Sequence, residues 1–166
     1  MRYQIITIGQ LKRGFYQEGC TFYIERLRAY AKLELIEIRE AKAKTPQQVK
    51  VLESETLLKT ASGYLIALDE KGKNLNSLQM ADTLSKLETQ SISTISLLVG
   101  GAEGHSEHLK KSVQASWSLS NLTLPHDLAR LVLLEQLYRA ETIRAGHPYH
   151  REWWVKKPEL LLATRH

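Results

Sequence analysis

The chain alternates between two spacings of hydrophobic residues. Residues 3–9 form an apolar, β-branched run that stops at a glycine, a pattern typical of a strand. In residues 15–31 apolar side chains recur three and four positions apart with charges between them, which predicts a helix. Further strands are predicted over residues 33–38, 64–68 (followed by a loop over 69–74), 95–99 and 117–124.

Helix start signals lie between these strands. Thr45 suits the cap position, Pro46 the first helical position, and Gln48 follows the cap by three, so a helix is predicted from there to about Ala61. The remaining helices are predicted from a cap at Ser77 to about Thr89, from about Ser106, and from Pro125 to a stop at Gly146.

This alternation of strands and helices predicts a single α/β domain with a parallel sheet and helices on both faces. In open sheets of this kind ligands bind beyond the carboxyl ends of the strands, near a switch in strand order. We therefore expect a site formed by the loops after Leu68, after Val99 and around Leu124.

The composition is that of an ordinary globular protein: 166 residues, 43% hydrophobic and 25% charged. Cys20 is the only cysteine, which excludes an internal disulfide and a multi-cysteine metal site and suits a reducing cytosol. The apolar runs are strand-sized, far below the roughly 20 residues of a membrane span. Since the amino terminus lacks a signal-peptide layout, we expect a cytoplasmic protein without a membrane partner.

The formal charge of +5 is unevenly distributed. Residues 139–166 hold six Lys and Arg against three Glu, and Lys42 and Lys44 mark a second basic spot. Such charges favour a phosphate-bearing partner, because they release counterions from a polyanion. A solvated basic surface explains the same charges, so the composition leaves both interpretations open.

Two segments near the predicted strand ends are unusual. Residues 100–104, Gly-Gly-Ala-Glu-Gly, lack the Lys-Ser/Thr end of a P-loop and the spacing of a dinucleotide fingerprint. They predict either a tight strand-to-helix turn or a place where backbone approaches a ligand closely. Residues 119–124 mix small polar groups into a strand, which would either present backbone groups to a ligand or satisfy one another.

The segment after the last helix, residues 147–151, packs two imidazoles, a phenol and a guanidinium into five positions. These groups can donate hydrogen bonds, move protons and bind phosphate. A metal site at His147 and His150 is disfavoured, because no carboxylate or cysteine partner is evident. The apolar stripe of the last helix, which includes Leu131 and Leu134, is read as core or as a dimer face.

Five segments taken together resemble a known family. They are residues 99–104, 116–120, 122–126, 137–140 and 147–151, which follow one another in the order that the family has. The chain is similar over about residues 1–152 to the bacterial 23S rRNA (pseudouridine-N3)-methyltransferases of the SPOUT class. Five motifs in one order are far more specific than any one of them.

The resemblance implies a SPOUT-type α/β fold with a trefoil knot near its carboxyl terminus, a homodimer, and S-adenosyl-L-methionine held by the knot loops. Composition and periodicity do not themselves predict a knot, since knots are rare. By matching motif positions, the residues expected to bind the cofactor are Leu68, Gly100, Gly101, Leu119, Ser120, Asn121, Leu122, Thr123 and Leu124.

The resemblance also implies roles near the end of the chain. Tyr149, His150 and Arg151 are expected at the methyl acceptor, across the dimer interface, where His150 would act as general base and Arg151 or Arg139 would stabilise negative charge. Proton removal through water, or a tail that only binds backbone phosphate, remain open alternatives. The expected RNA-binding residues are Arg139, His147, Tyr149, His150 and Arg151, and no metal is expected.

The implied activity is methylation of N3 of a pseudouridine in 23S rRNA, on the assembled ribosome. The alternative is a ribosome-binding or assembly factor that keeps the fold without the chemistry. We expect residues 1–152 to form one domain and residues 153–166 to be an extension, which would either stack bases and bind phosphate or fold back over apolar surface.

Overall fold

The computed structural model describes residues 1–151 and alternates strands with helices, so the predicted α/β architecture is confirmed. The strands are β1 (Arg2–Ile8), β2 (Lys32–Ile38), β3 (Tyr64–Asn74), β4 (Thr94–Val99) and β5 (Ala115–Ser118). The helices are α1 (Phe15–Leu27), α2 (Pro46–Thr60), α3 (Ser77–Thr89), α4 (Glu107–Ser112) and α5 (His126–Arg144).

The five strands form one parallel sheet in the order β2-β1-β4-β3-β5. Ile5 of β1 lies opposite Leu35 of β2 on one side and opposite Leu97 of β4 on the other. Because β4 lies between β1 and β3, the carboxyl ends of β4, β3 and β5 are next to one another. This edge is where a parallel sheet of this kind places its ligand site.

Both faces of the sheet are covered, as near-continuous apolar strands require. Successive side chains of a strand point to opposite faces. Ile5 packs in a cluster with apolar residues of α1, α3 and α5, whereas its neighbour Ile6 packs with Leu57 of α2 and Leu109 of α4. The apolar stripe of α5 is therefore largely core: Leu134 is fully buried, although Leu131 is only partly so.

Two strand boundaries differ from the prediction. β3 continues to Asn74 instead of ending in a loop at residue 69, and its register shifts, so that Trp117 of β5 pairs with both Leu68 and Lys73. Gly72 permits this close approach, because a Cβ there would lie 2.7 Å from the backbone of Trp117.

β5 ends at Ser118, six residues before the predicted end of that strand. Beyond it, serine side chains bond to nearby backbone and replace the ladder: the Ser118 hydroxyl donates to the Ser120 carbonyl at 2.9 Å, and the Ser120 hydroxyl accepts from the Leu122 N–H at 2.9 Å. The segment 119–124 is consequently a loop rather than a strand.

The helix boundaries were mostly predictable. Thr45 caps α2 as expected, accepting the Gln48 N–H at 3.2 Å. The α3 cap is Asn76, not Ser77, because Asn76 and Gln79 form a reciprocal capping box. α1 ends at Leu27 rather than Ala31. The Leu27 carbonyl accepts the N–H groups of both residue 30 and residue 31, so the chain leaves the helix in a turn.

Two expectations go beyond these observations. The trefoil knot stays a prediction. The extension over residues 153–166 lies outside the described residues.

Within residues 1–151, no helix is both long enough and apolar enough to cross a membrane.

Candidate active site

A cavity of about 480 Å³ opens at the carboxyl ends of β3, β4 and β5. Small-molecule sites are usually about 300–1,000 Å³. The three segments that the sequence singled out all line it: the one after Leu68, which is the irregular part of β3 rather than a loop, the one after Val99 and the one around Leu124. The first turn of α5 and Lys50 of α2 line it as well.

The structure brings together most of the residues expected to bind a cofactor. The exception is Asn121, which does not line the cavity; its side-chain oxygen accepts a hydrogen bond from the Asn74 amide at 2.7 Å instead. The expected residues that do line the cavity are Leu68, Gly100, Gly101, Leu119, Ser120, Leu122, Thr123 and Leu124.

The loop over residues 100–104, here called the glycine loop, forms a tight turn and lies very close to neighbouring side chains. The Gly104 N–H donates to the Gly101 carbonyl at 3.0 Å, and Gly104 has a φ of +76° that favours glycine. A Cβ on Gly101 would lie 2.6 Å from the Glu53 carboxyl, and one on Gly100 would lie 3.1 Å from the His105 ring. The loop can therefore lie this close to α2 and His105 only because residues 100 and 101 carry no side chain, and both residues line the cavity.

His105 links β3 and β4 through hydrogen bonds beneath this loop. Its Nε2 lies 3.1 Å from the Leu68 carbonyl and 3.2 Å from the Leu98 carbonyl, so that nitrogen carries the hydrogen and donates to both. Burial lowers the pKa of His105, although Asp69 and the two carbonyls raise it. The imidazole is accordingly held neutral, with Nδ1 buried and unpartnered among the described residues.

Asp69 and Lys110 form an ion pair at the cavity wall. The Lys110 ammonium lies 3.0 Å from the Asp69 carboxylate, which also accepts the Lys71 N–H at 2.9 Å. Partial burial disfavours the charged carboxylate, but these two donors hold the pKa of Asp69 below its ordinary value. The pair therefore remains charged and fixes the start of the irregular part of β3.

Helix α2 supports the glycine loop from behind. The Ser54 hydroxyl accepts the Ser106 N–H at 2.9 Å, and Glu53, only 4% exposed, accepts the Ala41 N–H at 3.1 Å. Burial raises the pKa of Glu53, and the nearby carboxylates Glu40 and Glu103 raise it further. The hydrogen bond from the Ala41 N–H lowers this pKa but does not cancel the rise. These contacts fix the face of α2 that carries Lys50 toward the cavity.

The tail residues gather elsewhere, against the second half of α5. Arg139 is bonded to Glu135 and lies over the Tyr149 ring at 4.9 Å; the Tyr149 hydroxyl donates to Glu135 at 3.3 Å. Nδ1 of His150 lies 3.4 Å from the Arg139 guanidinium. Burial, then hydrogen bonding to Tyr23, raises the pKa of Tyr149. These contacts anchor the tail on its own helix.

The structure thus separates the two halves of the expected site within one chain. None of Tyr149, His150 and Arg151 lines the cavity, and neither does His147, which is exposed. Along α5, Arg139 lies ten residues beyond the cavity residue Ala129, about 15 Å at 1.5 Å per residue.

Sequence reasoning missed several lining residues, among them Lys50, Asp69, His105 and Lys110. The sequence holds one local sign of Lys50: it precedes Glu53 by three positions, so both residues lie on one face of α2. This sign can be interpreted only once the structure shows that this face meets the glycine loop. Across residues 1–151, no group of three or more His, Cys, Asp or Glu side chains is arranged to hold a metal ion.

Comparisons with known proteins show the family of the chain. The family described as "Predicted SPOUT methyltransferase" matches residues 1–150. Ribosomal RNA large subunit methyltransferase H from Gloeobacter violaceus is 40% identical over 152 residues, covering 90% of this chain and 99% of that protein. The protein of the same name from Alkaliphilus oremlandii is 42% identical over 159 residues, covering 91% and 100%.

A solved structure supports the fold alone. A "probable methylase family protein" from Haemophilus influenzae superposes with a TM-score of 0.51 at 10% identity, covering 96% of this chain and 73% of that one. Since the family match covers nearly all the described residues and the relatives align over almost their whole length, the chain belongs to the SPOUT methyltransferases, in the family of ribosomal RNA large subunit methyltransferase H.

Proposed function

We propose that this methyltransferase transfers a methyl group from S-adenosyl-L-methionine to N3 of a pseudouridine in 23S rRNA. The observation that carries the proposal is the cavity at the strand ends, lined by the glycine loop at Gly100 and Gly101. Family membership supports the reaction class, and the resemblance of the tail motif supports the acceptor.

The residues of the cavity fit such a cofactor. Its volume suits a nucleoside-sized ligand, and apolar side chains of Leu68, Trp117 and Leu119 lie beside polar backbone at the glycine loop. Backbone N–H and carbonyl groups of the loops that line the cavity can bond the edges of a purine or a ribose. We propose that the eight lining residues expected from the family bind the cofactor and that Asn121 positions their loop through Asn74.

When bound, S-adenosyl-L-methionine supplies an electrophilic methyl group whose C–S electron pair returns to sulfur as the new N–C bond forms. The protein's task is to hold the acceptor nitrogen in line and to favour loss of its imide proton. No covalent protein nucleophile is needed. His150 is the proposed acceptor of this proton. Its Nδ1 lies 3.4 Å from the Arg139 guanidinium, which can only donate, so Nδ1 carries no hydrogen and is the ring nitrogen that can take the proton. Tyr149 and Arg151 fit groups that orient the nucleotide.

A second copy of the chain completes the proposed site. The tail is anchored on Glu135 and Arg139, about 9 and 15 Å along α5 from the cavity residue Ala129, and no described tail residue lines its own cavity. A homodimer in which the tail of one protomer faces the cavity of its partner would bring both halves together. Arg139 and His147 would then contact RNA at the same junction.

The proposed substrate is 23S rRNA within the assembled ribosome, in the cytoplasm. The described chain is small, and a structured particle offers several contacts at once, each of which adds affinity. Methylation of free rRNA would be correspondingly slow.

Labelled methyl transfer tests this proposal. Ribosomes and free rRNA lacking the modification are incubated with the protein and labelled cofactor, and the methylated nucleoside is located by mass spectrometry. We expect N3-methylpseudouridine, formed faster on ribosomes and unaffected by a chelator. Binding to ribosomes without label would instead establish the assembly factor.

The homodimer is tested separately. Sedimentation should give twice the chain mass, and mixing two inactive variants should restore activity. One carries His150→Ala, which removes a tail group, and the other carries Gly101→Val, whose side chain would clash with Glu53 and Ile8 and so push the glycine loop out of its place in the cavity wall. A mixed dimer contains one intact composite site, so about half of the dimers should carry it; no recovery would contradict a site shared between protomers.

A further inference from the structure

The charges of the cavity are balanced but not all paired. Three lysines and three carboxylates line it. Lys110 is bonded to Asp69 at 3.0 Å and lies 3.9 Å from Glu107. Lys50 and Lys71 form no ion pair with any residue of the described chain, so their charges are available to a ligand.

Lys50 is the better placed of these two cations. Lys71 is exposed and lies within the irregular stretch of β3, where solvent screens its charge. Lys50 is half-buried and stands on a regular helix whose cavity-facing side is fixed by Glu53 and Ser54. A charge that is partly withdrawn from water and held on a rigid element acts more strongly on its neighbours.

The proposed reaction needs such a charge. Loss of the N3 proton leaves a negative charge spread over the imide nitrogen and its two carbonyl oxygens. The cations expected from the sequence do not line the cavity: Arg139 is engaged with Glu135, and Arg151 lies on the tail. Lys50 is therefore the unpaired, half-buried cation that the cavity itself offers.

We propose that Lys50 is a catalytic residue that contacts the acceptor base and stabilises its N3 anion. This inference rests on the proposed function. The N3 proton leaves to solvent or to the tail base, the freed electron pair forms the bond to the methyl carbon, and the lysine ammonium stays protonated throughout. Lys50 thereby lowers the pKa of the bound imide and raises the fraction of acceptor that is reactive at neutral pH.

The test compares Lys50→Ala, Lys50→Arg and a matched control, Lys59→Ala, on the same helix but outside the cavity. Thermal melting and cofactor titration come first; we expect melting temperatures and cofactor Kd values close to those of the wild type. Multiple-turnover methyl transfer on ribosomes is then measured from pH 6 to pH 9, which gives kcat, KM and the salt dependence of KM.

We expect Lys50→Ala to lose roughly tenfold in kcat at pH 7 and to approach the wild-type rate at high pH, because the apparent pKa of the acceptor rises by about one unit. Lys50→Arg should keep most of the activity, and Lys59→Ala all of it.

Three results would overturn the inference. One is a Lys50→Ala variant that matches Lys59→Ala. Another is a raised KM with a weaker salt dependence but unchanged kcat and pH profile, which would make Lys50 a phosphate contact. The third is a wild-type protein that binds the cofactor but methylates nothing, which overturns the proposed function as well.

Discussion

Glu53 of α2 lies directly against Gly101 of the glycine loop. A Cβ on Gly101 would be 2.6 Å from Oε2 of Glu53, and the same position lies 3.1 Å from Ile8. The carboxyl has little freedom to move, because its other oxygen accepts the Ala41 N–H. The support that α2 gives the loop therefore excludes every side chain at residue 101.

Gly101→Ala should accordingly destabilise the protein and weaken cofactor binding. We expect a loss of about 1–3 kcal/mol in the free energy of unfolding, as for other overpacked sites. In a Glu53→Ala background the clash with Oε2 is gone, so the same substitution should cost less. Urea denaturation of the four proteins measures the difference. Equal costs in the two backgrounds would show that Glu53 is not what excludes the side chain.

The buried imidazole of His105 predicts a pH dependence of stability. Burial holds the pKa of His105 in the folded state below its ordinary value of 6.5, so the unfolded chain binds this proton first as the pH falls. The stability contribution is complete above pH 6.5 and is lost as the pH falls from there toward the folded-state pKa.

His105→Gln should therefore lose less free energy of unfolding between pH 7.5 and pH 5 than the wild type does. His108→Gln is the matched control, because His108 is exposed three residues away. Chemical denaturation at each pH gives the comparison. Parallel wild-type and His105→Gln curves would mean that His105 is not held neutral.

The buried ion pair of Arg130 and Glu37 lies away from the cavity, and its loss should strongly lower the free energy of unfolding. The Arg130 guanidinium donates to Glu37 at 2.6 Å and to the Gly9 carbonyl at 3.0 Å, and the Arg130 side chain is 4% exposed. Arg130→Met should cost about 2–4 kcal/mol, because it leaves a partly buried carboxylate without its partner. The exposed pair of Arg2 and Glu34 is the control: Arg2→Met should change the free energy of unfolding far less, because solvent screens that pair.

The anchored tail predicts an effect on catalysis without an effect on cofactor affinity. Glu135 accepts hydrogen bonds from both Arg139 and Tyr149 but does not line the cavity. Glu135→Gln should loosen the tail and lower methyl transfer about tenfold, a loss typical of a positioning group. Isothermal titration should give an unchanged cofactor Kd. Weaker cofactor binding would instead show that the tail helps to hold the cofactor and does not only position the acceptor.

Much of the fold could be predicted because its signals are local. The cap at Thr45 and the glycine stop at Gly146 depend on backbone hydrogen bonds between residues close in sequence. The prediction of a strand over 117–124 was wrong beyond Ser118, and the cause is again local. Ser118 and Ser120 bond to backbone groups of their own neighbours, which competes with the hydrogen bonds of a strand. The apolar pattern does not reveal which of these two sets of hydrogen bonds forms.

The candidate site was predictable only in part. The loops after Leu68 and Val99 follow from the general rule for parallel sheets, whereas residues supplied by a supporting helix, such as Lys50 and Glu53, do not. Asn121 looked equivalent to its neighbours in sequence, but the tertiary structure turns its side chain to Asn74 and away from the cavity.

By itself the sequence determined the order of strands and helices, the α/β class, the family and the loops that approach a ligand, because these depend on short-range spacing and on motifs. Only the tertiary structure decided the strand order, the support of the glycine loop by α2, and the separation of the tail from its own cavity. Ser54 and Ser106 meet from 52 residues apart. Such contacts arise from packing the whole chain and leave no local pattern.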